Sequence, residues 1–164
     1  MGEVLTLDEM RAVREELRAA GRTLVMTNGV FDLLHVGHTR YLAHARALGD
    51  ALLVAVNDDA SVRALKGPTR PILPLAERAE LLAALAAVDY VTPFAELTAD
   101  RVLDILRPDI YVKGGDYGPG KPLPEAPTVR AYGGQVRLLP FIPGRSTSEI
   151  IRAIQAGESL AWRP

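Results

Sequence analysis

Cysteine is absent from this chain, which excludes disulfides, thiolate catalysis and any metal held by cysteine. No apolar run approaches the length of a membrane span. The first residues read as a helix, not as a secretory signal, so no membrane partner and a cytoplasmic location are expected. Lysine and arginine total 19 against 20 acidic residues, a balance that gives no reason to expect a nucleic-acid surface. Scarce asparagine and cysteine beside twelve prolines fit a heat-stable protein, and equally a biased genome. What remains is ordinary for a globular protein: 164 residues, 48% hydrophobic and 24% charged. That is one domain, residues 1–164, with a single core.

The chain alternates helical and strand patterns without repeats. Thr6 and Glu9 form a capping box for an N-terminal helix over about 6–20, stopped by Gly21. Strands are expected at 23–27, 51–57, 90–92, 109–113 and 135–139, and helices at 39–48, 75–87, 99–106, 126–132 and 146–155. The strands are short and continuously apolar, as in Leu52-Leu53-Val54-Ala55-Val56, the pattern of a sheet covered on both faces. The expected fold is therefore α/β: a Rossmann-like, doubly wound, parallel five-stranded sheet. Two Gly- and Pro-rich breaks, 66–74 and 114–125, are long enough to suggest function.

The scarce polar residues collect at one edge of this sheet. Both asparagines, Asn28 and Asn57, fall at carboxyl ends of strands, and all three lysines (Lys66, Lys113, Lys121) lie in or beside the two irregular loops. Open parallel sheets bind ligands at that edge. Two of the three histidines, His35 and His38, occupy a strand-to-helix corner as His35-Val36-Gly37-His38. One reading makes them a helix cap and a half-buried ring. The other has both imidazoles facing one ligand, with Gly37 allowing close backbone approach. Zinc would need a third ligand, and His44 lies a turn and a half further along the helix, pointing elsewhere.

A second constellation, Gly144-Arg145-Ser146-Thr147-Ser148-Glu149, opens the last helix. Ser146 with Glu149 makes a cap box, but three consecutive hydroxyls beside Arg145 exceed a cap's needs and suit a phosphate at a helix N-terminus. A third, Lys113-Gly114-Gly115-Asp116-Tyr117, is by itself only a turn after a strand. Gly115 to Gly120 followed by Lys121 has P-loop spacing, yet Pro122 stands where Ser or Thr should hold magnesium. Arg70, Arg78 and Lys66 complete the candidates, Arg78 being as readily a solvated helix residue.

With these residues in view, the chain resembles the nucleotidyltransferase superfamily marked by His-x-Gly-His and a late Ser/Thr-rich helix start. Within it, the chain is most similar to the D-glycero-β-D-manno-heptose 1-phosphate adenylyltransferases, the adenylyltransferase domain of ADP-heptose synthase. The shared runs are Thr27-Asn28-Gly29-Val30-Phe31-Asp32, Val56-Asn57-Asp58-Asp59, Leu65-Lys66-Gly67, Arg70-Pro71-Ile72, Val112-Lys113-Gly114-Gly115-Asp116-Tyr117 and Tyr132-Gly133-Gly134. One departure is Arg145-Ser146-Thr147-Ser148, where relatives carry Ser-Thr-Thr; the hydroxyls are kept. The family's domain is often fused behind a sugar kinase and tends to dimerise, so the resemblance implies a separate sugar kinase upstream and a homodimer. The glycerol-phosphate cytidylyltransferases share the histidine pair and an arginine like Arg78, but usually lack Lys-Gly-Gly-Asp.

The resemblance implies attack by a sugar 1-phosphate oxygen on the α-phosphorus of ATP, expelling pyrophosphate in line. His35 and His38 would stabilise charge on the transferring group. Ser146, Thr147 and Ser148, with Arg145, would hold the β- and γ-phosphates. Lys113, helped by Lys66, Arg70, Arg78 and Asn57, would bring up the substrate phosphate. Thr27, Asn28, Gly29, Phe31 and Gly114 would line the nucleotide corner. Asp32 and Asp116 would orient magnesium or a hydroxyl, with Mg2+ held mainly through the triphosphate. The alternatives are a cytidylyltransferase making a CDP-alcohol and a nucleotide-binding sensor without turnover. A dinucleotide-binding dehydrogenase is disfavoured, since no Gly-x-Gly-x-x-Gly follows the first long strand.

Overall fold

A computed structural model describes residues 1–115, 122–140 and 146–160. The elements are β1 (Glu3–Val4), α1 (Leu7–Ala19), β2 (Leu24–Gly29), α2 (Val36–Arg46), β3 (Ala51–Asn57), α3 (Asp59–Lys66), α4 (Leu75–Ala83), β4 (Tyr90–Phe94), α5 (Asp100–Leu106), β5 (Ile110–Gly114), α6 (Ala126–Ala131), β6 (Gln135–Leu139) and α7 (Thr147–Ala156). All strand pairs are parallel, in the order β1-β4-β3-β2-β5-β6. The sheet therefore has six strands, not the five expected from the sequence. The extra one is Glu3–Val4, laid along Tyr90–Val91 at the edge. Two residues are too short to carry an alternation, so nothing in the pattern announced them.

Side-chain alternation sends each strand into two cores. Leu24, Met26, Leu53, Ala55 and Tyr111 meet Met10 and Leu17 of α1, Val102 and Leu106 of α5 and Val129 of α6. Val25, Leu52, Val54, Val56 and Val112 meet Leu42 of α2 and Leu82 of α4. Every residue of β3 is buried, which is why it reads as one unbroken apolar run. The capping box of α1 is present, with Thr6 and Glu9 bonded reciprocally, and Gly21 takes φ +66° just beyond the helix.

The order reverses between β2 and β5. Sequence runs from β2 outward through β3 to β4 on one side and through β5 to β6 on the other, so this seam is the topological switch point where such sheets bind ligands. Pairing along the seam is short. β2 stays in register with β3 as far as Gly29↔Val56, but with β5 only through Val25↔Ile110 and Met26↔Tyr111. Beyond Met26 side chains bridge the gap. The Tyr41 hydroxyl from α2 donates to the Val112 carbonyl at 3.1 Å and lies 2.7 Å from Thr27 Oγ1.

Candidate active site

A cleft of about 300 Å3 opens over this seam. It is lined by Asn28, Gly29, Val30 and Phe31 from the end of β2, and by His35, Gly37, His38 and Tyr41 at the start of α2. Lys113, Gly114 and Pro140 close the β5–β6 side, and Ser146 and Thr147 stand at the start of α7. Residues widely separated in sequence thus meet at one crevice.

The corner between β2 and α2 is built around Phe31. It takes φ +46°, a left-handed conformation that bulky side chains rarely adopt and that concentrates at functional sites. Its buried ring lies 5.1 Å from the His38 ring, centroid to centroid, and a Cβ on Gly29 would stand 3.0 Å from that same ring. His35 occupies the N-cap of α2, yet its imidazole makes no capping bond to the helix amides. The two imidazoles stack instead, 3.8 Å between centroids and 24° between planes. Burial, reinforced by the neighbouring His35, pushes the His38 pKa down to about 4. Its ring is therefore neutral near pH 7, and its buried Nδ1 has no hydrogen-bond partner among the described residues.

Across the cleft, Lys113 Nζ bonds Asn28 Oδ1 at 2.6 Å and the Asn28 carbonyl at 3.3 Å. Burial lowers the lysine's pKa, opposed by the nearby Glu125. At the third wall, Ser146 caps α7 by accepting the Glu149 N–H at 3.2 Å, and Thr147 donates to the Leu33 carbonyl at 3.4 Å. Ser148 is exposed and lies outside the cleft lining. The first turns of α2 and α7 both face the cleft, and amides in a first helical turn have no partners within the helix. Asp116, Arg145 and Lys121 lie outside the described residues.

Several expected ligand residues serve the fold. Arg78 is 0% exposed; its guanidinium donates to the Leu73, Val30 and Asn57 carbonyls and pairs with Asp59 at 2.7 Å. It braces the corner from behind and does not line the cleft. The solvated reading of Arg78 is corrected accordingly, and the structure gives it a bracing position behind the cleft wall. Asp32 accepts from Arg70 at 2.5 Å and from the Ile72 and Leu73 amides, which pins the 67–74 loop to the corner. Burial alone would raise the Asp32 pKa, but those two amides and Arg70 outweigh it and hold the carboxyl below its usual range. Asn57 is buried and donates to Ser61 Oγ and the Glu96 carbonyl. Thr27 is buried beneath Tyr41, and Lys66 is exposed in the last turn of α3, away from the cleft lining.

Sequence reasoning missed Tyr41, Tyr111, Pro140 and Glu125. A clue for Tyr41 existed in Gly114, where a Cβ would lie 3.1 Å from the Tyr41 ring. No group of three or more His, Asp or Glu side chains suited to a metal occurs among the described residues. With Asp32 saturated, the described residues do not fit a protein-held magnesium site.

The parallel sheet with this strand order thus carries, at its switch point, a cleft faced by two helix N-termini, a histidine pair and a half-buried lysine. The chain belongs to the cytidylyltransferase-like family, whose model matches residues 26–153. It is 51% identical over 156 residues to the bifunctional protein HldE of Edwardsiella ictaluri, and 52% identical over 151 residues to that of Syntrophotalea carbinolica. These matches cover 95% and 90% of the chain but 32% and 30% of the relatives. The chain thus spans about a third of the length of the curated relatives it matches. Among solved structures, the lipopolysaccharide core biosynthesis protein of Thermoplasma volcanium is 31% identical with a TM-score of 0.60, covering 74% of this chain and 98% of that one. The pantoate-beta-alanine ligase of Francisella tularensis, complexed with beta-gamma ATP and beta-alanine, shares the fold at 13% identity and TM-score 0.61, covering 90% of this chain and 69% of its own.

Proposed function

We propose that this protein transfers an adenylyl group from ATP to a heptose 1-phosphate-like sugar phosphate, releasing pyrophosphate. The observation that carries the reading is the convergence of two helix N-termini, the stacked histidines and Lys113 on one cleft. Direct displacement at phosphorus requires two anions held together and developing charge neutralised, with little covalent work from the protein. His35 and His38 face the transferring phosphoryl group as hydrogen-bond donors. The triphosphate lies between the α2 and α7 N-termini, with Ser146 and Thr147 on its β- and γ-phosphates. Lys113 draws the acceptor phosphate towards the α-phosphorus. Magnesium would accompany the nucleotide, held through the triphosphate oxygens and supplying positive charge there.

Similarity to the HldE proteins supports the adenylyl and sugar-phosphate assignment, and their bifunctional name fits a kinase acting upstream of this step. A cytidylyl reaction is the second reading, favoured by the description of the matched family. We further propose a cytoplasmic homodimer; among the described residues no helix is long and apolar enough to cross a membrane.

Pyrophosphate release decides the matter, measured with ATP and with CTP against D-glycero-β-D-manno-heptose 1-phosphate and glycerol 3-phosphate. Release with ATP and the heptose phosphate alone is expected. Release with CTP and glycerol phosphate would replace this reading by the second, and nucleotide binding without release from any pair would make the protein a sensor.

A further inference from the structure

One side chain at the seam belongs to no part of that mechanism. The Tyr111 hydroxyl bonds Asn28 Oδ1 at 2.5 Å, the same atom that meets Lys113 Nζ at 2.6 Å. An ammonium can only donate, so the amide atom facing it is oxygen. Two donors converge on that oxygen, which leaves Asn28 Nδ2 as the amide's donor. Tyr111 is fully buried in the core beneath α1, α5 and α6, and it does not line the cleft. Its ring centroid lies 5.9 Å from Lys113 Nζ. The tyrosine thus offers a hydroxyl fixed by core packing, whereas the lysine is a flexible stem with a rotatable head.

We propose that Tyr111 is a positioning residue that acts through Asn28 to set the place of the Lys113 ammonium over the acceptor phosphate. The inference rests on the reading of Lys113 as the residue that meets that phosphate. Tyr111 holds the Asn28 amide with its oxygen towards β5. Lys113 then directs its shorter bond to that oxygen and a longer one to the Asn28 carbonyl, which leaves a proton to turn to the ligand. Without the hydroxyl, only the lysine itself holds the amide oxygen, and the ammonium keeps the longer bond to the Asn28 carbonyl as its one core-independent reference. Asn28 is accordingly a holder of Lys113 as well as part of the cleft wall.

Tyr111→Phe keeps the buried ring and removes only the hydroxyl. With ATP and D-glycero-β-D-manno-heptose 1-phosphate, its KM for the sugar phosphate should rise about tenfold, the scale of one charge-assisted bond, while its KM for ATP changes by less than about threefold. Asn28→Ala should act in the same direction, and Asn28→Asp, which restores an oxygen for the ammonium, should recover part of the loss. The chain has three lysines, Lys66, Lys113 and Lys121, so spectra of lysine-labelled protein are simple and Lys113→Arg assigns the signal. The Lys113 resonance should move in Tyr111→Phe. An unchanged resonance, an unchanged sugar-phosphate KM, or equal rises in both KM values would overturn the proposal. Lys113→Ala with an unaltered sugar-phosphate KM would instead overturn the reading of Lys113 itself. Should Tyr111→Phe fail to fold, the difference between Asn28→Ala and Asn28→Asp carries the same decision.

Discussion

The two ends of the β2–β5 seam use similar chemistry to opposite effect. At the amino end, the Asp109 carboxylate takes the Leu24 amide at 2.8 Å and both terminal nitrogens of Arg14 at 3.0 Å. Arg14 also donates to the Leu106 and Arg107 carbonyls. That end is a staple whose donors and acceptors find partners within the chain. At the carboxyl end, the strands part, and the polar groups of Asn28, Lys113, His35 and His38 surround an open cleft. Arg78 and Asp32 stand beside the cleft yet belong with the staple, because each is held by backbone groups and an opposite charge from other segments of the chain. Charge near a strand end therefore marks a site only when something other than the protein must complete it.

Variants can break that contrast. The largest expected effect is on folding: Arg78→Ala strands Asp59 and three carbonyls and should cost about 3–5 kcal/mol in urea unfolding. Any protein that still folds should show a near-normal KM for the sugar phosphate; a selective rise in that KM would return Arg78 to the site. His38→Ala should lower turnover about 100- to 1,000-fold, or about 3–4 kcal/mol at the transition state, with a Tm close to the parent's. Near-normal turnover would remove the histidine from the chemistry.

Arg14→Ala should cost about 3 kcal/mol and leave both KM values alone. It should also change the acid limb of stability. Burial by itself would raise Asp109, but Arg14 and the Leu24 amide hold its pKa below the usual carboxylate value. A carboxylate lowered in the folded state stabilises fully above its unfolded pKa of about 3.9 and loses that contribution as pH falls through the folded value. The fall in stability below about pH 4 should therefore be shallower in Arg14→Ala than in the parent. Smallest is Tyr41→Phe, worth about 1 kcal/mol for the bridging hydroxyl; an effect on KM as large as that of Tyr111→Phe would show that the bridge, not the Asn28 amide, governs the cleft.

Periodicity made most of the fold legible. Residues 51–57 and 135–139 are strands at the bounds expected; burial on both faces leaves nothing to interrupt the first, whereas the second is a half-exposed edge strand whose apolar positions 136, 138 and 139 sufficed. The helix over 59–66 was not anticipated. Its start is set by Asp58 accepting the Ser61 amide, and its eight residues are shorter than the stretch over which a helical period is read. α2 begins at Val36, three residues before the expected Thr39, since Val36 and Gly37 read as turn until His35 is seen in the N-cap position. In the site, the gathering of the histidine pair, Lys113 and Ser146–Thr147 on one crevice followed from strand ends and helix starts. The inward turn of Arg78 and Asn57 did not, for a buried polar residue looks like an exposed one until its partners are located in space.

The early end of the β2–β5 ladder has a consequence for motion. Below Met26 the seam is closed by main-chain pairing; above it, only side chains tie the strands together. Widening the mouth to admit or release a ligand breaks no rung of the ladder, only bonds made by Tyr41, Tyr111 and Lys113. The molecule can breathe where it must exchange substrate while its centre stays shut, and the stiffness of the one end need not be traded against the traffic through the other.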